Sequence, residues 1–137
     1  MEVIIMNYEE LKEYVGSQLP ETSKLTTMKR VIDDIASEFF NLKNKLTEDL
    51  NIDGNQNNIN VATTGNRTGT VFSIGDRQII VTYDGDSHIK VIAYEPGVLN
   101  ETRIDDIIYR DGKAVYEGNG ELFDLKSVES YLDWFKK

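Results

Sequence analysis

Arg103-Ile104-Asp105-Asp106-Ile107-Ile108-Tyr109-Arg110-Asp111-Gly112-Lys113-Ala114-Val115-Tyr116 places two β-rich runs on either side of Asp111-Gly112. An Asp-Gly pair in this setting is the strongest short hairpin signal in the chain, because both residues accept the positive φ that a two-residue turn demands. The pattern continues upstream. Ile89 to Tyr94 reads as a strand that Pro96-Gly97 breaks, and an Asp84-Gly85 turn separates it from Ile79 to Tyr83. A turn at Gly75-Asp76 leads back to Val71–Ile74, the segment Gly65–Gly69 is a loop, and Ile59 and Val61 alternate with Asn60 and Ala62. Strands joined by such short loops predict an antiparallel meander of about five to six strands, spanning residues 58–117.

On both sides of this region the period changes to that of a helix. Residues 7–18 read as a short amphipathic helix, capped by Asn7, with Glu9 and Glu10 in its positive first turn and Leu11, Tyr14 and Val15 on one face. Gly16 and Pro20 mark its end, and Thr22 or Ser23 can cap a second helix reaching about residue 50. Its apolar positions, Leu25, Met28, Val31, Ile32, Ile35, Phe39, Leu42, Leu46 and Leu50, form one stripe, with Phe40 beside it. A coiled-coil seam would use similar spacing, but a stripe this wide is better suited to covering a sheet. Residues 51–58 are a polar break; Gly118-Asn119-Gly120 turns the chain again, and Asp124 can cap a last helix over 124–136. The predicted fold is an α+β two-layer sandwich in the order α-α-β-β-β-β-β-β-α. It forms a single domain over 1–137, with a helical part at 1–50, the sheet at 58–117 and a C-terminal helix at 124–136.

Twenty-four acids against fifteen bases leave a net charge of −9, with no Cys and one His. The absence of Cys excludes disulfides, thiolate zinc sites, iron–sulfur ligation and cysteine nucleophiles. A single His excludes His-rich metal sites and leaves a Ser–His–Asp triad only one candidate base, His88. The acidity disfavours nucleic acid and anionic membrane surfaces, whose recognition rests on Lys and Arg. It suits a basic protein partner or, more simply, solubility. The segment Met1-Glu2-Val3-Ile4-Ile5-Met6 has no basic region and too short an apolar run for a signal peptide, so a cytoplasmic location is expected. Met-Glu-Val can also be encoded with GGAGGT, a ribosome-binding sequence upstream of Met6. Residues 1–5 are then a translated leader from a bacterial or phage gene, the alternative being an ordinary short strand or arm.

Motifs for chemistry are sparse. Asp53, Asn55 and Asn57 have the first spacings of a calcium loop, but Asn58 stands where Gly is needed and Thr64 where a bidentate Glu closes the shell. Asp84, Asp86 and His88 alternate and could share a strand face as a metal or acid–base site, although the turn explains both aspartates. Asp105 and Asp106 point to opposite faces of a strand, and Asp33-Asp34 read as a solvated helix face. Gly65 to Gly69 lacks the Lys-Ser/Thr of a phosphate loop. No enzyme activity, metal or cofactor is expected. Two or three helices cannot cover both faces of a sheet, so some tyrosines should face outward. Tyr83, Tyr94, Tyr109 and Tyr116, with Asp84 and Asp86, are the candidate binding residues. The function expected is that of a small acidic intracellular protein that binds or inhibits a protein partner by surface and charge complementarity. Such a protein suits a phage or mobile element, as an anti-defence or immunity-type factor. The alternatives are a small-molecule-binding domain or a homo-oligomer assembled through the 25–50 stripe.

Overall fold

A computed structural model describes residues 7–18, 20–50, 59–98 and 100–136. The chain runs α1 (Tyr8–Gln18), α2 (Pro20–Asp49), β1 (Ile59–Thr63), β2 (Gly69–Ile74), β3 (Arg77–Tyr83), β4 (His88–Tyr94), β5 (Thr102–Arg110), β6 (Lys113–Tyr116) and α3 (Lys126–Leu132). A 3-10 turn, Asp133–Lys136, follows. The six strands pair antiparallel in chain order, which is the meander read from the short loops. Asp111 and Gly112 both take positive φ, at 52° and 81°, so the β5–β6 hairpin closes on the primed turn its sequence calls for. The calcium-like spacing at Asp53, Asn55 and Asn57 and the leader reading of residues 1–5 lie outside the described residues.

Helix ends differ from the sequence expectation in instructive ways. Asn7 caps α1 as expected, its side-chain oxygen accepting from the Glu10 amide at 2.8 Å. The second helix opens at Pro20 rather than at Thr22 or Ser23. Proline lacks only an N–H that a first turn leaves unpaired, so it starts a helix as readily as it ends one. The last helix begins at Lys126, two residues past Asp124, and tightens to the 3-10 turn from Asp133. Asp124 still organises that entry: its carboxylate accepts from the Lys126 amide at 3.0 Å. Its own backbone clasps the Tyr116 hydroxyl, which donates to Asp124 O at 3.0 Å and accepts from Asp124 N at 2.9 Å.

The pleat sorts the sheet into two faces. One holds Ile59, Val61, Phe72, Ile79, Val81, Tyr83, Ile89, Val91, Ala93 and Ile107, and packs on Met28, Val31, Ile32, Ile35 and Phe39 of α2 and on Val128 and Tyr131 of α3. The α2 stripe is therefore buried at its centre and open at its ends, where Leu25 and Leu50 are exposed; Phe40 is exposed beside it. Phe72 lies between Phe39, at 5.3 Å between ring centres, and Phe135, at 6.0 Å. Arg77 draws the C-terminus onto the sheet. Its guanidinium stacks 4.2 Å from the Trp134 ring centre and donates to Phe135 O at 2.9 Å.

A bulge in the β4–β5 pairing, between Val91 and Ile92, interrupts the alternation of β5. The extra residue sets Arg103 rather than Ile104 opposite Ile92, and Ile104 turns into the core with Asp105. There the Tyr131 hydroxyl donates to the Asp105 carboxylate at 2.6 Å. Burial, and then the Asp105 carboxylate, hold the Tyr131 phenol well above the ordinary range. The unfolded phenol loses its proton near pH 10 while the folded one keeps it. Stability from this group is thus complete below about pH 10 and falls as pH rises beyond it. Urea denaturation at pH near 8 and near 11 should show that part of the alkaline loss vanish in Tyr131→Phe. An unchanged alkaline decline in the variant would contradict this.

Candidate functional site

Helices α2 and α3 pack on one side of the sheet, and the opposite side is left without a described element over it. That face is built from the other parity of each strand. Cross-strand pairing aligns Ala62, Val71, Ile80 and Ile92 into an apolar row running across four strands. Ile92 is buried to 5% exposure by its neighbours yet stands apart from the main core, as does Val115 at 6%. A polar row, Asn60, Ser73, Gln78 and Tyr94, borders it on one side. Gly69, Thr82, Lys90 and Asp106 border it on the other. An apolar strip within a polar rim is the anatomy of a protein-binding surface.

The residues singled out from sequence are divided between the two faces. Tyr94 stands on the open face at 42% exposure. Tyr83 does not: it belongs to the core side, 4% exposed, and its hydroxyl donates to Asp86 O at 2.6 Å. Tyr109 and Tyr116 also pack against the core. A tyrosine-bearing open face is therefore corrected to an isoleucine–valine face with one tyrosine. The physical reason is parity. Tyr83 shares its side with Ile79 and Val81, and Tyr109 shares its side with Ile107, all drawn under α2 and α3.

Asp84 and Asp86 serve the β3–β4 turn. The Asp84 carboxylate accepts from the amides of Asp86 at 2.8 Å and His88 at 3.2 Å, and Asp86 meets Lys24 of α2 at 3.1 Å. Neither forms a described contact with the His88 ring. That ring turns across the sheet instead. Its Nε2 lies 2.7 Å from Asp106 Oδ1 and 3.8 Å from Glu117 Oε2. Arg103 Nε is 3.3 Å from the same Asp106 oxygen. Asp105 and Asp106 do face opposite ways, as their adjacency in a strand requires: one meets Tyr131 and the other His88. Asp33 is not simply solvated, since Arg67 of the β1–β2 loop reaches it with two guanidinium nitrogens.

Two further features bear on binding. Tyr8, Leu11, Tyr14 and Val15 of α1 are exposed. An apolar cleft of about 410 Å³ opens between α2, the sheet and the C-terminal turn, lined by Leu42, Leu46, Phe72, Ile74, Leu132 and Phe135. Among the described residues no helix is long and apolar enough to cross a membrane. Comparison with protein-family models, curated proteins and solved structures gave no match to this chain.

Proposed function

We propose that this chain is a protein-binding module that docks a partner on the open face of its sheet and breaks no bonds itself. The observation that carries the reading is the apolar row Ala62–Val71–Ile80–Ile92 set within a polar rim on the face away from the helices. The excess of nine negative charges selects a partner whose contacting surface is basic, and it disfavours nucleic acid. An immunity-type or anti-defence inhibitor, acting in the cytoplasm, is the form this takes when the partner is an enzyme with a basic active site.

The test is a parallel capture from bacterial extract with the wild-type chain and an Ile80→Glu variant, each at low and high salt. The reading requires a protein held by the wild type, released as ionic strength rises, and lost in the variant. Retention by both chains, or a profile that salt leaves unchanged, contradicts it. Self-association in light scattering that Ile80→Glu abolishes would assign the face to a second copy and also count against it.

A second reading, a small-molecule-binding domain, is favoured by the cleft beside Leu46 and Phe135. An apolar ligand there would raise the melting temperature of wild type and Ile80→Glu alike.

A further inference from the structure

His88, Asp106 and Glu117 come from β4, β5 and the residue after β6, and their ligand-bearing atoms all lie within 4.8 Å of one another. Each is held from behind by its backbone. The His88 amide donates to Asp84 Oδ1 at 3.2 Å, the Asp106 amide to Asp105 Oδ1 at 2.8 Å, and the Glu117 amide to Asp106 O at 2.9 Å. These bonds fix the three backbones, so only side-chain torsions, chiefly those of the 55% exposed Glu117, have to settle for the ligand atoms to close on one point. What they converge on is one ring nitrogen. Nε2 carries at most one hydrogen, which suffices for Asp106 at 2.7 Å but leaves Glu117 at 3.8 Å without a share of it. A cation between the three atoms satisfies both carboxylates at once.

We propose that His88, Asp106 and Glu117 form a divalent transition-metal site, with zinc the best-suited ion. Imidazole nitrogen with two carboxylate oxygens is a borderline donor set that suits zinc; calcium and magnesium prefer oxygen alone. Ligand atoms about 2.0–2.2 Å from zinc at tetrahedral angles stand roughly 3.4 Å apart. The separations of 2.7 and 3.8 Å bracket that spacing, so small side-chain rotations complete the site. Two carboxylates balance the ion's charge. Lys90, the cross-strand partner of Asp106, and Arg103 stand alongside, and Arg103 must yield its contact with Asp106 Oδ1 at 3.3 Å. Its side chain is 48% exposed and can turn to solvent. With three protein ligands the fourth position is left for water or for an incoming donor. Bound metal would tie β4, β5 and the β6 end together. The site needs these three side chains alone, although Asp106 also belongs to the polar rim of the open face, so the titration is made on the chain without a partner.

The experiment is calorimetric titration of the full, untagged, chelator-treated chain with zinc chloride, read together with the NMR signals of the ring. His88 is the only histidine, so those signals are unambiguous. Expected are one saturable site per chain, a shift of the Nε2 resonance, and a melting temperature raised by zinc. His88→Gln and Asp106→Asn should each weaken binding at least about tenfold, while Glu121→Gln, the same charge change at an exposed position, should leave it intact. Magnesium should not compete. Absence of saturable binding, an unmoved His88 ring, or equal affinity in Asp106→Asn overturns the proposal. Because the ring signals are read on the wild type, the result does not depend on either variant folding.

Discussion

Phe72→Ala is expected to destabilise the protein by about 3–5 kcal/mol, the cost of deleting a buried aromatic ring and leaving a cavity. Phe72 is fully buried on β2, with Phe39 of α2 and Phe135 of the terminal turn against it. Its removal therefore loosens both α2 and the terminal 3-10 turn against the core face. A domain of this size has a total stability of about 5–15 kcal/mol, so the variant should unfold at much lower urea, with the wild-type dependence on denaturant. A midpoint shift worth under about 1 kcal/mol would mean that the three rings are not packed as described.

Ile80→Glu is expected to behave in the opposite manner: a small change in stability and a large loss of binding. Ile80 lies half-buried in the middle of the open-face row, between Val71 and Ile92. A central apolar contact is typically worth about 2 kcal/mol or more in an interface, so partner affinity should fall about thirtyfold or further. The direction is diagnostic, because the substitution makes an acidic protein more acidic. Attraction to a basic partner by charge alone would be preserved or strengthened. Loss of affinity therefore identifies the apolar strip as the contact, and unchanged affinity in a surface titration would reject it.

Most of the architecture is legible in the sequence because punctuation and period agree. Asp111-Gly112, Asp84-Gly85 and Gly75-Asp76 each sit where a strand pair turns. What stays hidden is the assignment of strand faces. Ile79-Ile80-Val81 and Val91-Ile92-Ala93 are apolar on both parities, so alternation does not say which side meets the helix. Tyrosine is the natural choice for an outward face, yet Tyr83, Tyr109 and Tyr116 turn inward and only Tyr94 stays outside. The other residues left outside, Val71, Ile80 and Ile92, look in sequence like ordinary core. One cue does exist: Tyr83 falls in step with Ile79 and Val81, and Gln78 and Thr82 flank Ile80, marking that parity as the wetter one.

The meeting of His88 with Asp106 and Glu117 lies further out of reach. It depends on the register of three strands at once, and a bulge between Val91 and Ile92 shifts one of those registers by a residue. In sequence, the near neighbours Asp84 and Asp86 offer themselves first. Both are committed to the tight turn, through backbone amides and Lys24. Helix starts mislead for a simpler reason. Pro20 carries the signals of both an ending and a beginning, and in the structure it opens α2.

The most direct measurement is an amide NMR titration of the labelled chain with the protein that salt-sensitive capture identifies. The largest shifts should fall on Ala62, Val71, Ile80 and Ile92 and on the rim at Tyr94 and Lys90, while the core-side residues around Phe72 stay in place. Shifts gathered instead around the cleft at Leu46 and Phe135, or along α1, would contradict it.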